Sequence, residues 1–163
     1  MHLNDSSDTS FGTKEGDLSL FASGVIWVAE RQVASRIRAV RASVFSSVSL
    51  DPPIVLWAVP TTSLQATQLQ VDHACGVSAL DAEQAQVAIQ GASGVGICWE
   101  YGEIFGAPLV KGAVASFEAV ILRKMLHNEE MLFFGQLAGF CHSPTKESAV
   151  LHSGLMQRAE TIY

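Results

Sequence analysis

Apolar residues recur along the chain in short runs separated by Gly, Pro and hydroxyl-rich stretches, the spacing of strands rather than of long helices. Residues 20–30 (LFASGVIWVAE) read as a short helical end, a glycine break, then a strand of β-branched and aromatic residues. Residues 36–45 lack Gly and Pro and predict a second strand, and residues 54–59 a buried third one that Pro60 ends. Thr61, Thr62 and Ser63 then precede LQATQLQ, a short helix with hydroxyls at its start. Residues 75–80 predict a fourth apolar strand, and Asp81-x-x-Gln84 a capping-box-like start to a helix ending near Gly91. Residues 91–108, rich in glycine, predict irregular chain over a site or an interface. In residues 113–124, Ala113, Ala115, Phe117, Ala119 and Ile121 share one face, with Ser116 and Glu118 on the other. Residues 131–140 predict a second long strand, joined to the first through His127-Asn128-Glu129-Glu130, and residues 148–153 complete the sheet. Six or more strands, two short helices and no βαβ alternation predict a mainly β fold, an antiparallel barrel with helical additions.

The sharpest break is Ser46-Ser47-Val48-Ser49-Leu50-Asp51-Pro52-Pro53. Two consecutive prolines fix φ twice and remove two donors, so no helix or central strand passes through them. The hydroxyl-rich residues before them are expected in a defined loop between two strands.

Composition narrows the classes. At 163 residues the chain suits one domain able to bury a core, and 48% hydrophobic with 16% charged residues excludes a largely disordered chain. A net charge of -6 argues against general nucleic-acid binding. No apolar run approaches the ~20 residues a membrane helix needs. Residues 1–17 are polar and lack the apolar core of a signal peptide, so the expectation is a mobile tail before a domain over 18–163, in the cytoplasm. Cys75, Cys98 and Cys141 are odd in number and widely spread, which predicts reduced, mostly buried thiols rather than disulfides or zinc. His73, His127, His142 and His152 show no convergent ligand spacing, so no metal is expected. Gly91-x-x-Gly94-x-Gly96 does not open a βαβ helix and reads as a loop. Trp27, Trp57 and Trp99 are assigned to core or dimer packing.

Two clusters carry candidate chemistry. Pro60-Thr61-Thr62-Ser63 offers hydroxyls and free amides at a helix start, suited either to an anion or to plain N-capping by Ser63. Arg31, Arg36, Arg38 and Arg41 are four of ten basic residues within eleven positions. They suit either a patch that collects nucleotide phosphates or a solvated edge strand.

Five stretches in order, Phe21-Ala22-Ser23-Gly24-Val25, the Ser-Val-Ser-Leu-Asp-Pro-Pro segment, Val77-Ser78-Ala79-Leu80 with Gln84, Gly106-Ala107-Pro108-Leu109 and Phe134-Gly135, resemble the flavin reductase-like family of FMN-binding split barrels over about residues 18–156. The resemblance implies an antiparallel Greek-key split β-barrel, a homodimer, and FMN, or FAD, as cofactor. It implies hydride transfer from NADH or NADPH to flavin, with reduced flavin passed to a partner flavin-dependent monooxygenase. It places the flavin along Arg41, Ala42, Ser43, Val44 and Ser47, and its phosphate at Pro60, Thr61, Thr62 and Ser63. Arg41 replaces the usual Thr and Val44 the usual Ser; the guanidinium either stabilises an anionic reduced flavin or turns to solvent. On the nicotinamide side the family's Gly-Asp-His becomes Asn128-Glu129-Glu130, and its Arg-Gly-Arg-Tyr becomes Ser153-Gly154-Leu155-Met156. Glu130, His152 and Gly154 are the candidates there. A flavin carrier or store without efficient nucleotide use, and a structural dimer without flavin, are the competing readings.

Overall fold

The two longest apolar stretches form the spine of the protein in a computed structural model that describes residues 23–32, 36–90, 96–142, 149–152 and 155–158. In chain order the strands are β1 (Ser23–Gly24), β2 (Ile26–Arg31), β3 (Ile37–Arg41), β4 (Val44–Leu50), β5 (Pro53–Pro60) and β6 (Ala74–Ala79). They continue with β7 (Trp99–Tyr101), β8 (Pro108–Val110), β9 (Ala115–His127), β10 (Glu130–His142), β11 (Ala149–His152) and β12 (Leu155–Arg158). Two helices lie between strands, α1 (Leu64–Gln68) and α2 (Ala82–Gln90). Among the described residues, no helix is long and apolar enough to cross a membrane.

Strands β9 and β10, 13 residues each, form a hairpin turned at Asn128 and Glu129. Asn128 sits at φ 52°, a left-handed conformation that Asn tolerates better than most residues. The main sheet is antiparallel throughout, in the order β3-β2-β6-β9-β10-β5-β4. Its two edge strands are consecutive in sequence and separated only by Ala42 and Ser43. A flat sheet of seven strands would hold its edges about 29 Å apart, whereas two linking residues reach about 10 Å. The sheet must therefore curl until its edges meet. The seam between them is the linking chain, not a ladder: Ala42 N–H donates back to Ile26 O on β2 and Ser43 N–H to Ala58 O on β5, each at 2.9 Å. From β5 the chain crosses to β6 on the far side of β2, the Greek-key step that closes the mainly β barrel expected from sequence.

The barrel is filled by Val28, Val55, Trp57, Val59, Val77, Ile121 and Phe133, all buried. Trp57 and Phe133 are cross-strand partners with rings stacked at 5.5 Å. Gly135 makes room for them, since a Cβ there would lie 2.5 Å from Trp57 Cζ3. A second cluster outside the barrel packs α2 through Ala85 and Ala88 against Trp27, Leu80 and Val110, with Trp99 stacked on Trp27 at 6.0 Å. The capping box at α2 forms in both directions: Gln84 N–H donates to Asp81 Oδ1 at 2.9 Å, and Asp81 N–H to Gln84 Oε1 at 3.3 Å.

Four expectations change. Residues 36–45 are not one strand but β3 and the start of β4, broken at the seam because each half pairs on a different side of the sheet. The serines before Pro52 are not a loop; they belong to edge strand β4, and the hairpin turn is only Asp51-Pro52, whose peptide is cis. Residues 99–101 and 108–110 form a small hairpin, β7–β8, inside the stretch read as irregular. Strand β11 joins β1 and β12 in a separate three-stranded sheet rather than completing the main one.

Candidate functional site

Three chain segments converge beside the seam. Register places Glu130 opposite Pro60, and both the amide (2.8 Å) and the hydroxyl (3.0 Å) of Thr61 donate to Glu129 O. The β9–β10 turn is thereby gripped to the end of β5. From the third segment, Ser43 Oγ lies 2.9 Å from Glu130 Oε2 and 3.2 Å from Ala58 O. A hydroxyl has one proton, and the shorter contact to an anionic acceptor takes it. Ser43 is thus left with lone pairs to offer.

Next to this corner opens a cleft of about 470 Å³, with Arg41, Thr62, Ser63 and Gln65 on its polar side and Trp27 and Val40 on its apolar side. Two of the phosphate candidates, Thr62 and Ser63, and the arginine that replaces the family's threonine therefore face one space, while Pro60 and Thr61 do not line it and Thr61 is spent on Glu129 O. Helix α1 changes part of the reasoning. At five residues it aligns too few peptides for an appreciable dipole, and Ser63 does not cap it; Ser63 Oγ bonds Gln65 Oε1 at 2.6 Å instead. What the cleft offers an anion is the guanidinium and the Thr62 hydroxyl, joined by Ser63 when its proton leaves Gln65 Oε1.

The arginine cluster divides by role. Arg38 bonds the Gln68 side chain and so ties β3 to α1. Arg31 lies 5.0 Å over the ring of Tyr101. Of Arg31, Arg38 and Arg41, only Arg41 lines the cleft. Lys124 completes the bracing of α1 from β9, donating to Leu69 O at 3.1 Å and Gln70 Oε1 at 3.0 Å.

Of the other predicted positions, Ala42 is buried in the seam, while Val44 and Ser47 are exposed on β4. Ser47 pairs with Val55 just before a register shift. Glu130, expected on the nicotinamide side, touches the flavin-side candidate Ser43. His152 lies in β11 opposite Leu155, and Gly154 lies outside the described residues, as do Phe21, Ala22 and residues 1–17.

Sequence reasoning missed Glu118. Placed only with Ser116 on the face opposite Phe117, it is 3% exposed and accepts three backbone amides, from Ile104 (2.7 Å), Phe105 (2.9 Å) and Ala107 (3.0 Å). Gly102 passes so close that a Cβ would fall 2.0 Å from Glu118 Cδ. The available signal was a lone carboxylate in a strand otherwise flanked by small and apolar residues. The thiols are not mostly buried as expected, since Cys98 and Cys141 are exposed; on β6, Cys75 is wholly buried, and burial first, then the nearby Glu30 charge, pushes its thiol up to about 12. The Glu30 carboxylate itself meets His73 Nδ1 at 2.8 Å.

The flavin reductase like domain family matches residues 18–159. An NADH-dependent FAD reductase of Streptomyces globisporus is 32% identical over 133 residues, covering 76% of this chain and 73% of that protein. Among solved structures, the flavin reductase component of a bacterial two-component tryptophan halogenase superposes with a TM-score of 0.78 at 31% identity, covering 88% of this chain and 94% of that one. An NADH:FAD oxidoreductase of Streptomyces globisporus in complex with NAD and FAD fragments gives a TM-score of 0.80 at 29% identity, covering 90% of each chain. With the family match spanning most of its length, this chain belongs to the flavin reductase like domain family.

Proposed function

We propose that this chain is an NAD(P)H-dependent flavin oxidoreductase that binds FMN or FAD and hands the reduced flavin to a partner monooxygenase. The observation that carries the reading is the shared cleft of Arg41, Thr62 and Ser63 beside the Ser43 corner, in a chain related to NADH-dependent reductases. The donor set fits a phosphorylated flavin: a guanidinium and two hydroxyls for the phosphate, with Trp27 and Val40 as an apolar wall. Bound there, the flavin supplies the two-electron acceptor for a hydride from NADH or NADPH.

The chain's own residues bind, orient and exclude water. Arg41 supplies positive charge, and Thr62 and Ser63 supply hydroxyls to an anion. Arg38 and Lys124 hold α1 in place behind them. Residues 18–163 are assigned as the working domain and the cytoplasm as its location. A homodimer is supported by the apolar side chains left exposed on β4 (Val44, Val48, Leu50) and on β9 (Leu122, Met125, Leu126). Light scattering at micromolar concentration tests it, and a monomer refutes it.

A flavin carrier without efficient nucleotide use is the second reading, favoured by one observation: a carboxylate, Glu130, stands at the site corner in place of the family's histidine. Anaerobic titration of the flavin-loaded protein decides between the two. Bleaching of the oxidised flavin band by NADH or NADPH supports the reductase. Bleaching by dithionite alone supports the carrier, and a protein that takes up no flavin refutes both.

A further inference from the structure

The Ser43–Glu130 contact assigns Glu130 a role on the flavin rather than on the nucleotide. We infer that Glu130 is a release residue: its carboxylate weakens the hold on reduced flavin relative to oxidised flavin, so that the product leaves for its consumer. The inference rests on the proposed flavin site and goes beyond it by assigning the redox selectivity of binding to one side chain.

The chemistry starts from charge. Hydride transfer takes two electrons and a proton from the nicotinamide, leaving the oxidised nucleotide and a flavin ring that carries negative charge near neutral pH. The oxidised ring is neutral. A fixed negative charge beside the ring therefore acts on the two forms unequally, while contacts to the phosphate act on both alike. Glu130 Oε2 is held 2.9 Å from Ser43 Oγ, on the segment assigned to the ring, and is half-buried, so water screens it only in part. Among the described residues no Lys, Arg or His lies within ion-pair distance of it. The bond to Ser43 also consumes the hydroxyl proton that would otherwise be offered to the ring. Arg41, in the adjoining cleft, works in the opposite sense, so the balance between the two sets the selectivity.

A substitution series tests this. Glu130→Gln keeps the shape and an oxygen to accept the Ser43 proton but removes the charge; Glu130→Lys reverses it. Dissociation constants for oxidised and reduced FMN and FAD are measured anaerobically for each protein, together with the midpoint potential of the bound flavin. The expected result is that the ratio of reduced to oxidised dissociation constants falls about three- to tenfold in Glu130→Gln and further in Glu130→Lys. Oxidised-flavin affinity should change less than twofold in Glu130→Gln. The bound potential should rise in the same order, by about 30 mV for each tenfold in that ratio. An unchanged ratio, an equal loss of both affinities, or a Lys variant that breaks the order overturns the inference while leaving the flavin site standing. Failure of the unaltered protein to bind either flavin overturns the proposed function and this inference with it.

Discussion

Two glutamates, Glu118 on β9 and Glu130 at the start of β10, show how one side chain serves two ends. Glu118 is buried and its carboxylate accepts three amides of the 104–107 segment, so the loop is fastened to the barrel wall and little acceptor capacity is left over. Glu130 is half-buried and accepts from one hydroxyl, that of Ser43, at the corner where a ligand is proposed. A carboxylate saturated by backbone donors in the interior is a structural fastening. One left unsaturated at the edge of a cleft can act on whatever enters.

The comparison breaks first at Glu118. Glu118→Ala should strand three amides, that of Ala107 buried, empty the carboxylate's buried place and cost about 3–5 kcal/mol of stability, read as a lower urea midpoint. A variant within about 1 kcal/mol of the parent would show that the loop is held by something else. On the cleft side the expected losses are in binding, not folding. Thr62→Ala with Ser63→Ala should weaken flavin binding by roughly 2–4 kcal/mol at unchanged melting temperature, and an unaltered dissociation constant rejects the phosphate assignment. Arg41→Gln should cost about 1–2 kcal/mol, and its effect should shrink with added salt as expected for a partly exposed charge. Glu130→Gln, described above, is smaller again in total affinity and shows only in the difference between the two flavin forms.

The smallest effect is chemical. A thiol pushed up to about 12 is almost wholly protonated at pH 8, since a raised value makes thiolate rarer at every lower pH. Iodoacetamide at pH 8 should therefore modify the exposed Cys98 and Cys141 in the folded protein and reach Cys75 only after unfolding. Mass spectrometry of the digested protein counts the labels, and early modification of Cys75 would contradict its placement in the core.

The sequence revealed elements wherever burial imposes a pattern. Residues 54–59 and the long β9–β10 pair carry β-branched and aromatic runs because they line the core, and Asp81 with Gln84 announced α2 through its cap. It concealed β4, whose Ser46, Ser47 and Ser49 lie on an edge with most positions exposed, so no alternation marks it. The break between β3 and β4 was hidden for a related reason: Ala42 and Ser43 are ordinary strand residues, and only pairing on opposite edges separates them. Arg41, Ser43, Thr62 and Ser63 were reached through short motifs. Their meeting with Glu130 required register, which places Pro60 opposite Glu130 across about 70 intervening residues.

The seam has a mechanical consequence. Ala42 N–H bonds back to β2 and Ser43 N–H to β5, so among the described residues β3 and β4 are joined across it by the chain through Ala42 and Ser43, where every other junction of the main sheet is a ladder. That line is the weakest in the wall, the place where heat or force would first unzip the barrel. A flavin lying along Arg41 to Ser43 and reaching Thr62 would span it like a rivet. Saturating ligand, at a hundred times its dissociation constant, adds about 2.7 kcal/mol to global stability by mass action alone. The local gain should appear as slowed hydrogen exchange at the amides of Ala42 and Ser43, beyond that of the β9–β10 ladder.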